Sequence, residues 1–86
     1  MASYSLAIKP SAVKEIEALP KADRRKIVLK IQSLADNPRP PGHDKLSGDD
    51  KYRVRQGNYR ILYTINGNEL IVTVVKVGHR REVYRK

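Results

Sequence analysis

The chain contains no cysteine, so neither disulfides nor a thiolate metal site can hold it together, and nothing in it points to an oxidising compartment. It also lacks a long apolar run. The opening "MASYSLAIKP" has no signal-peptide core, and no stretch approaches the roughly 18 apolar residues of a membrane span. The expectation is a soluble protein of the cytoplasm with no membrane association. Internal repeats and low-complexity tracts are missing too. With 86 residues the chain reads as one domain, 1–86, since chains of this size bury only about 60% of their unfolded surface in a single core. No metal-ligand spacing recurs: His43 and Asp44 are adjacent and His79 is far away in sequence, so no metal or other cofactor is expected.

Acidic side chains are scarce. Eighteen Lys and Arg stand against nine Asp and Glu, a formal charge of +9. The excess is lopsided: residues 1–50 carry net +2 and residues 51–86 net +7. Such a field on a small body attracts polyanions, because neutralising phosphates releases counterions and steers encounter.

What is present reads as an α+β domain. Tyr4, Leu6 and Ile8 alternate with small residues, the period of a strand buried on one face. After Pro10, Ser11 is a candidate N-cap, and Ala12, Val13, Ile16 and Leu19 form one helical stripe that Pro20 stops. From about residue 21 to 36, Ile27, Val28, Ile31, Leu34 and Ala35 repeat at three and four residues, the pattern of a longer helix. "DNPRPPG" ends it, because prolines cannot continue helix geometry. Three apolar runs follow, 51–56, 59–65 and 69–77, separated by Gly57-Asn58 and Asn66-Gly67, dipeptides suited to short hairpin turns. The predicted order is β-α-α-β-β-β, an antiparallel sheet with two N-terminal helices packed on one face, and "LIVTVVKV" as an internal strand.

The hairpin "KYRVRQGNYRILYTI" carries three arginines. Side chains alternate along a strand, so Tyr52 and Val54 share one side while Arg53 and Arg55 share the other, roughly 6.5–7 Å apart. Across the turn, Tyr59, Ile61, Tyr63 and Ile65 make a core face and leave Arg60 on the other. Pairing would then bring Arg53, Arg55 and Arg60 together at a cost in stability, which an anionic ligand would offset. The ending "KVGHRREVYRK" adds His79, Arg80, Arg81, Tyr84 and Arg85, cationic and aromatic groups able to bind phosphate and stack on unpaired bases. Lys45 can extend the basic surface. His79 alone among the late residues has an ordinary pKa near neutrality, which makes it the candidate for proton transfer.

In order along the chain, "LP" before a basic helix, "NPRPPGHDKLSG", "YRVRQGNYRILYTI" and "VGHRREVY" resemble the RelE toxins of the RelE/ParE superfamily, over about residues 4–84. The resemblance implies a toxin of a toxin–antitoxin pair, a ribonuclease that cuts messenger RNA in the ribosomal A site without a metal. The ribose 2′-hydroxyl attacks, leaving a 2′,3′-cyclic phosphate and a 5′-hydroxyl. It also implies a RelB-like antitoxin as partner, besides the ribosome and mRNA. The family's site positions fall on Arg53, Arg55, Arg60, Arg80 and Tyr84: the arginines of the hairpin hold phosphate and stabilise the transition state, Arg80 protonates the leaving group, and Tyr84 stacks on a base. Arg81 and Arg85 add RNA contacts. Well-studied members carry lysines where this chain has Arg53 and Arg55, and arginine, with a pKa above about 12, is a poor proton acceptor but a good bidentate phosphate clamp. Two other readings stand beside this one, a ParE-like inhibitor of DNA gyrase and a basic RNA-binding module without chemistry.

Overall fold

A computed structural model of the protein describes residues 3–46 and 51–79. The elements are β1 (Ser5–Ile8), α1 (Pro10–Glu17), α2 (Lys21–Asp36), β2 (Asp44–Lys45), β3 (Lys51–Gln56), β4 (Tyr59–Asn66) and β5 (Ile71–His79). They form one sheet in the order β1-β5-β4-β3-β2, with both helices on the same side. The α+β architecture and the helical layer are as expected, and β5 is indeed internal.

Two features differ from the expectation. β1 runs parallel to β5, with Leu6 beside Val72 and Ile8 beside Val74, so the sheet is mixed rather than wholly antiparallel. A period of two identifies which face of a strand is apolar and carries no information on its partner's direction. The second is β2, whose two residues pair antiparallel with Tyr52 and Arg53 and are too few for any periodicity to register.

The helices begin and face slightly differently from the sequence reading. α1 starts at Pro10, where a missing N–H costs nothing, and Lys9 rather than Ser11 occupies the N-cap without a side-chain hydrogen bond. Inward faces consist of Ala12 and Ile16 on α1 and Ile27, Ile31 and Leu34 on α2, the last three spaced by four and three residues. Val13 and Val28, expected on those stripes, are each 37% exposed. Against the helices lies the sheet's inner face: Tyr52, Val54, Ile61, Tyr63, Ile65, Val72, Val74 and Val77, all buried. The sequence has no Phe or Trp, so tyrosine supplies the aromatic bulk and its hydroxyl needs a partner. Tyr63, the largest fully buried side chain, donates to the carbonyl of Pro38 at 2.7 Å. Tyr52 stacks on it at 5.7 Å between ring centroids and accepts from Arg39.

Leu62 pairs with Lys76 and Tyr63 with Val74, so Val75 is the extra residue of a bulge in β5. β1 ends opposite Val74, and past that point Glu15 of α1 covers the edge of β5. Its carboxylate accepts the Val77 N–H at 2.9 Å and the Lys76 ammonium at 2.8 Å. Gly57 has φ +60°, and Asn58 is not among the residues with positive φ, which makes the β3–β4 connection a type II′ turn. The next connection is longer than a two-residue turn. Residues 67–70 separate β4 from β5, Asn66 Oδ1 accepts the N–H groups of Asn68 and Glu69, and Leu70 rather than Gly67 takes the left-handed conformation, φ +56°.

Candidate functional site

The β3–β4 register places Arg55 directly opposite Arg60 and Arg53 opposite Leu62. All three arginines therefore stand on the sheet face away from the helices, because their alternate neighbours Tyr52, Val54, Ile61 and Tyr63 are buried on the other. Directly opposed residues have Cβ atoms about 4.5–5.5 Å apart, so two permanent cations share one spot beside the II′ turn. Arg55 is exposed and Arg60 half-buried. On the far side of Arg60 the register neighbour is Gly78, so no β5 side chain stands directly opposite Arg60, and Lys76, opposite Leu62, is its diagonal neighbour on that face.

Arg53 is differently placed. Its cross-strand neighbour is Asp44, whose Oδ2 accepts from both Nε and Nη2, at 3.1 and 2.5 Å. The Arg53 guanidinium holds the Asp44 carboxyl below the usual carboxylate range, chiefly through that hydrogen bond. Arg53 thus ties β2 to the sheet, and the expected convergence of three arginines becomes an opposed pair, Arg55 and Arg60, with a third, carboxylate-bound guanidinium alongside.

Two other predicted residues lie on the opposite side. Lys45 pairs with Tyr52 and so shares the helix-bearing side. His79 pairs with Tyr59, whose ring it meets edge-on at 5.9 Å and 79°. The strand runs straight through Gly78 to His79, and alternation then turns the imidazole away from the arginine pair. Closeness in sequence to Arg80 concealed this phase. Arg80, Arg81, Tyr84 and Arg85 lie outside the described residues.

Sequence reasoning missed the ring of polar contacts that fixes this face from behind. The Tyr59 hydroxyl donates to Asp23 of α2 at 3.1 Å. Arg39 lies 5.3 Å over the Tyr52 ring, and His43 Nδ1 lies 2.8 Å from the Pro40 carbonyl. The prolines of "NPRPPG" marked a connection, but no local signal says that its carbonyls and Arg39 meet Tyr63 and Tyr52. Those partners are 25 and 13 residues away.

Comparison with known proteins matches residues 6–84 to the family described as ParE toxin of type II toxin–antitoxin systems. The chain is 30% identical over 79 residues to an Escherichia coli protein described as RelE-like toxin, covering 90% of this chain and 83% of that one. The fold superposes on the archaeal RelE–RelB complex of Pyrococcus horikoshii with a TM-score of 0.83 and 31% identity, over 93% of this chain and 98% of the other. The isolated Escherichia coli RelE toxin gives 0.79 and 30%, over 95% and 92%.

Proposed function

The chain belongs to the RelE/ParE superfamily of type II toxin–antitoxin toxins, and from that membership we propose that it is a metal-independent ribonuclease that cuts messenger RNA on the ribosome. The observation that carries the reading is the Arg55–Arg60 register pair on the open sheet face. In the reaction the ribose 2′-oxygen forms a bond to phosphorus and the bond to the 5′-oxygen breaks. The proton lost by the 2′-hydroxyl is balanced by one gained at the leaving oxygen. The phosphorane gains negative charge on the way, and two guanidiniums already in place stabilise that charge without having to reorganise.

The pair is poorly suited to act as base, since a guanidinium offers five N–H donors and no acceptor. His79 lies on the other side of the sheet, and the described residues of the cationic face include no histidine or free carboxylate. The site is built to bind and to stabilise charge. In this reading the ribosome-bound codon and its surroundings orient the 2′-hydroxyl and supply the proximity contribution. The partner that restrains the toxin is an antitoxin of the RelB kind, as in the Pyrococcus horikoshii complex, and the setting is the cytoplasm.

The test is induction in cells followed by mapping of RNA 5′-hydroxyl ends. Cuts should appear within translated frames and be absent from the same transcript lacking a start codon. The match to the ParE description supports a second reading, inhibition of DNA gyrase by binding. A supercoiling assay separates the two: the ribonuclease leaves gyrase unaffected at concentrations that arrest translation.

A further inference from the structure

The turn that delivers β2 also leaves a gap beside β3. Pro40 to His43 form a type II turn, with Pro41 at its second position, Gly42 at its third with φ +85°, and the His43 N–H donating to the Pro40 carbonyl at 3.1 Å. Only from Asp44 onward does the chain lie along β3. Leu46 donates to the Lys51 carbonyl, so residues 46 and 51 are a hydrogen-bonded pair and, by alternation, so are 44 and 53. The next such pair would join residue 42 to Arg55. Gly42 has already turned away, and the Arg55 N–H and carbonyl point into a notch of about 340 Å³ lined by Lys30, Pro41, Gly42, Asp44, Val54 and Arg55.

Three features of this notch favour an anion. Lys30 comes from α2 on one side of the sheet and Arg55 from the other face, and they meet around the open edge of β3. Asp44, the acidic group at the rim, is already bound to Arg53, and among the described residues no carboxylate makes a salt bridge with Lys30. The Arg55 N–H adds a fixed donor. A peptide strand is a poor occupant, because Arg55 is the only residue offering outward backbone groups before the Gly57 turn. Continuity with the cationic face selects a nucleic-acid strand: Arg55 belongs to both places.

We propose that the notch is a second phosphate subsite, in which Lys30 and the Arg55 N–H hold the phosphodiester next to the one gripped by Arg55 and Arg60, so that the RNA strand bends around the edge of β3. Lys30 is thereby an RNA-binding residue on a helix that the arginine face does not include. The proposal rests on the ribonuclease reading and extends its site by one nucleotide.

The test uses the full chain and a single-stranded oligoribonucleotide carrying 2′-O-methyl groups throughout, which cannot be cut. Affinity is measured from about 50 to 200 mM salt for wild type, Lys30→Gln, Lys21→Gln and Arg60→Ala. One fewer phosphate contact lowers the slope of log affinity against log salt by about 0.7 for a single strand. Lys30→Gln should show that loss. Lys21→Gln, with the same charge change elsewhere on α2, should not, and the Arg55 amide resonance should shift on RNA addition. Equal slopes for the two lysine variants, with Arg60→Ala still weakening binding, overturn the notch and leave the ribonuclease reading intact. Unchanged binding in Arg60→Ala as well overturns both. A poly-glutamate of equal charge that shifts the Arg55 amide equally and shows the same dependence on Lys30 overturns the assignment to RNA.

Discussion

Arg55 and Arg60 face each other where a sheet designed only for stability would place opposite charges or a β-branched pair. A like charge directly opposite is destabilising on a sheet, a cost that the proposed phosphate contact would offset. Replacing the exposed Arg55 with Ala should abolish growth arrest while leaving the melting temperature unchanged or slightly raised, as calorimetry of the purified variant would register. A drop of several degrees would mean that the arginine is structural. Tyr63 makes the complementary case. Burial pushes its hydroxyl up to about 12 from the usual 10, so the folded state favours the neutral phenol. That stabilisation is complete below pH 10 and disappears as pH rises from 10 toward 12, because the unfolded chain ionises first. Tyr63→Phe loses the bond to the Pro38 carbonyl, about 1 kcal/mol, and should flatten the alkaline part of the urea-midpoint profile. Asp44 carries the opposite sign. Its contribution is present above pH 3.8, the ordinary value, and is lost as pH falls through its lowered pKa; Asp44→Asn should remove that acid-side dependence.

At the scale of elements, alternation and turn chemistry made the hairpin legible, including the shared face of Arg53, Arg55 and Arg60 and the turn at Gly57. The same periodicity left partners and phases open. It could not say that β1 runs parallel to β5, that Val13 and Val28 turn outward, or that His79 stays in phase with Tyr59. The β5 edge past the bulge shows why: the Val77 amide there donates to Glu15, which is 62 residues away. Glu15→Ala should cost about 1–3 kcal/mol, the range for losing a charged acceptor, and should speed hydrogen exchange at Val77 more than at Val72. Glu15→Gln, which keeps an acceptor for the amide, should restore most of the protection. Gly42 is a second such point. An L-residue at its φ of +85° is strained by about 1 kcal/mol or more, although a Cβ there would meet nothing within 4 Å. Gly42→Ala should therefore lower stability through backbone strain, measurable as a shifted denaturation midpoint with an unchanged m-value.

The molecule as a whole divides its labour between two faces of one sheet. Helices, tyrosines and aliphatic residues occupy one, and the opposed arginines stand on the other, in a chain of charge +9. That charge was visible at once in the composition, and it said polyanion without saying which one. Placing Arg55 and Arg60 together required the strand register, and placing Lys30 beside Arg55 required the path of the turn at Gly42, which no periodicity encodes. In the proposed function this surface binds and stabilises charge, and His79 stands on the other side of the sheet. The surface should consequently be slow on RNA that nothing else orients. The most direct measurement is the cleavage rate of one messenger RNA by the purified protein, free in solution and then programmed into ribosomes, with 5′-hydroxyl ends counted in each. Rapid cutting only on the ribosome, abolished by Arg60→Ala, is the predicted result; equal rates on free and ribosome-bound RNA, or cutting unaffected by that substitution, would contradict it.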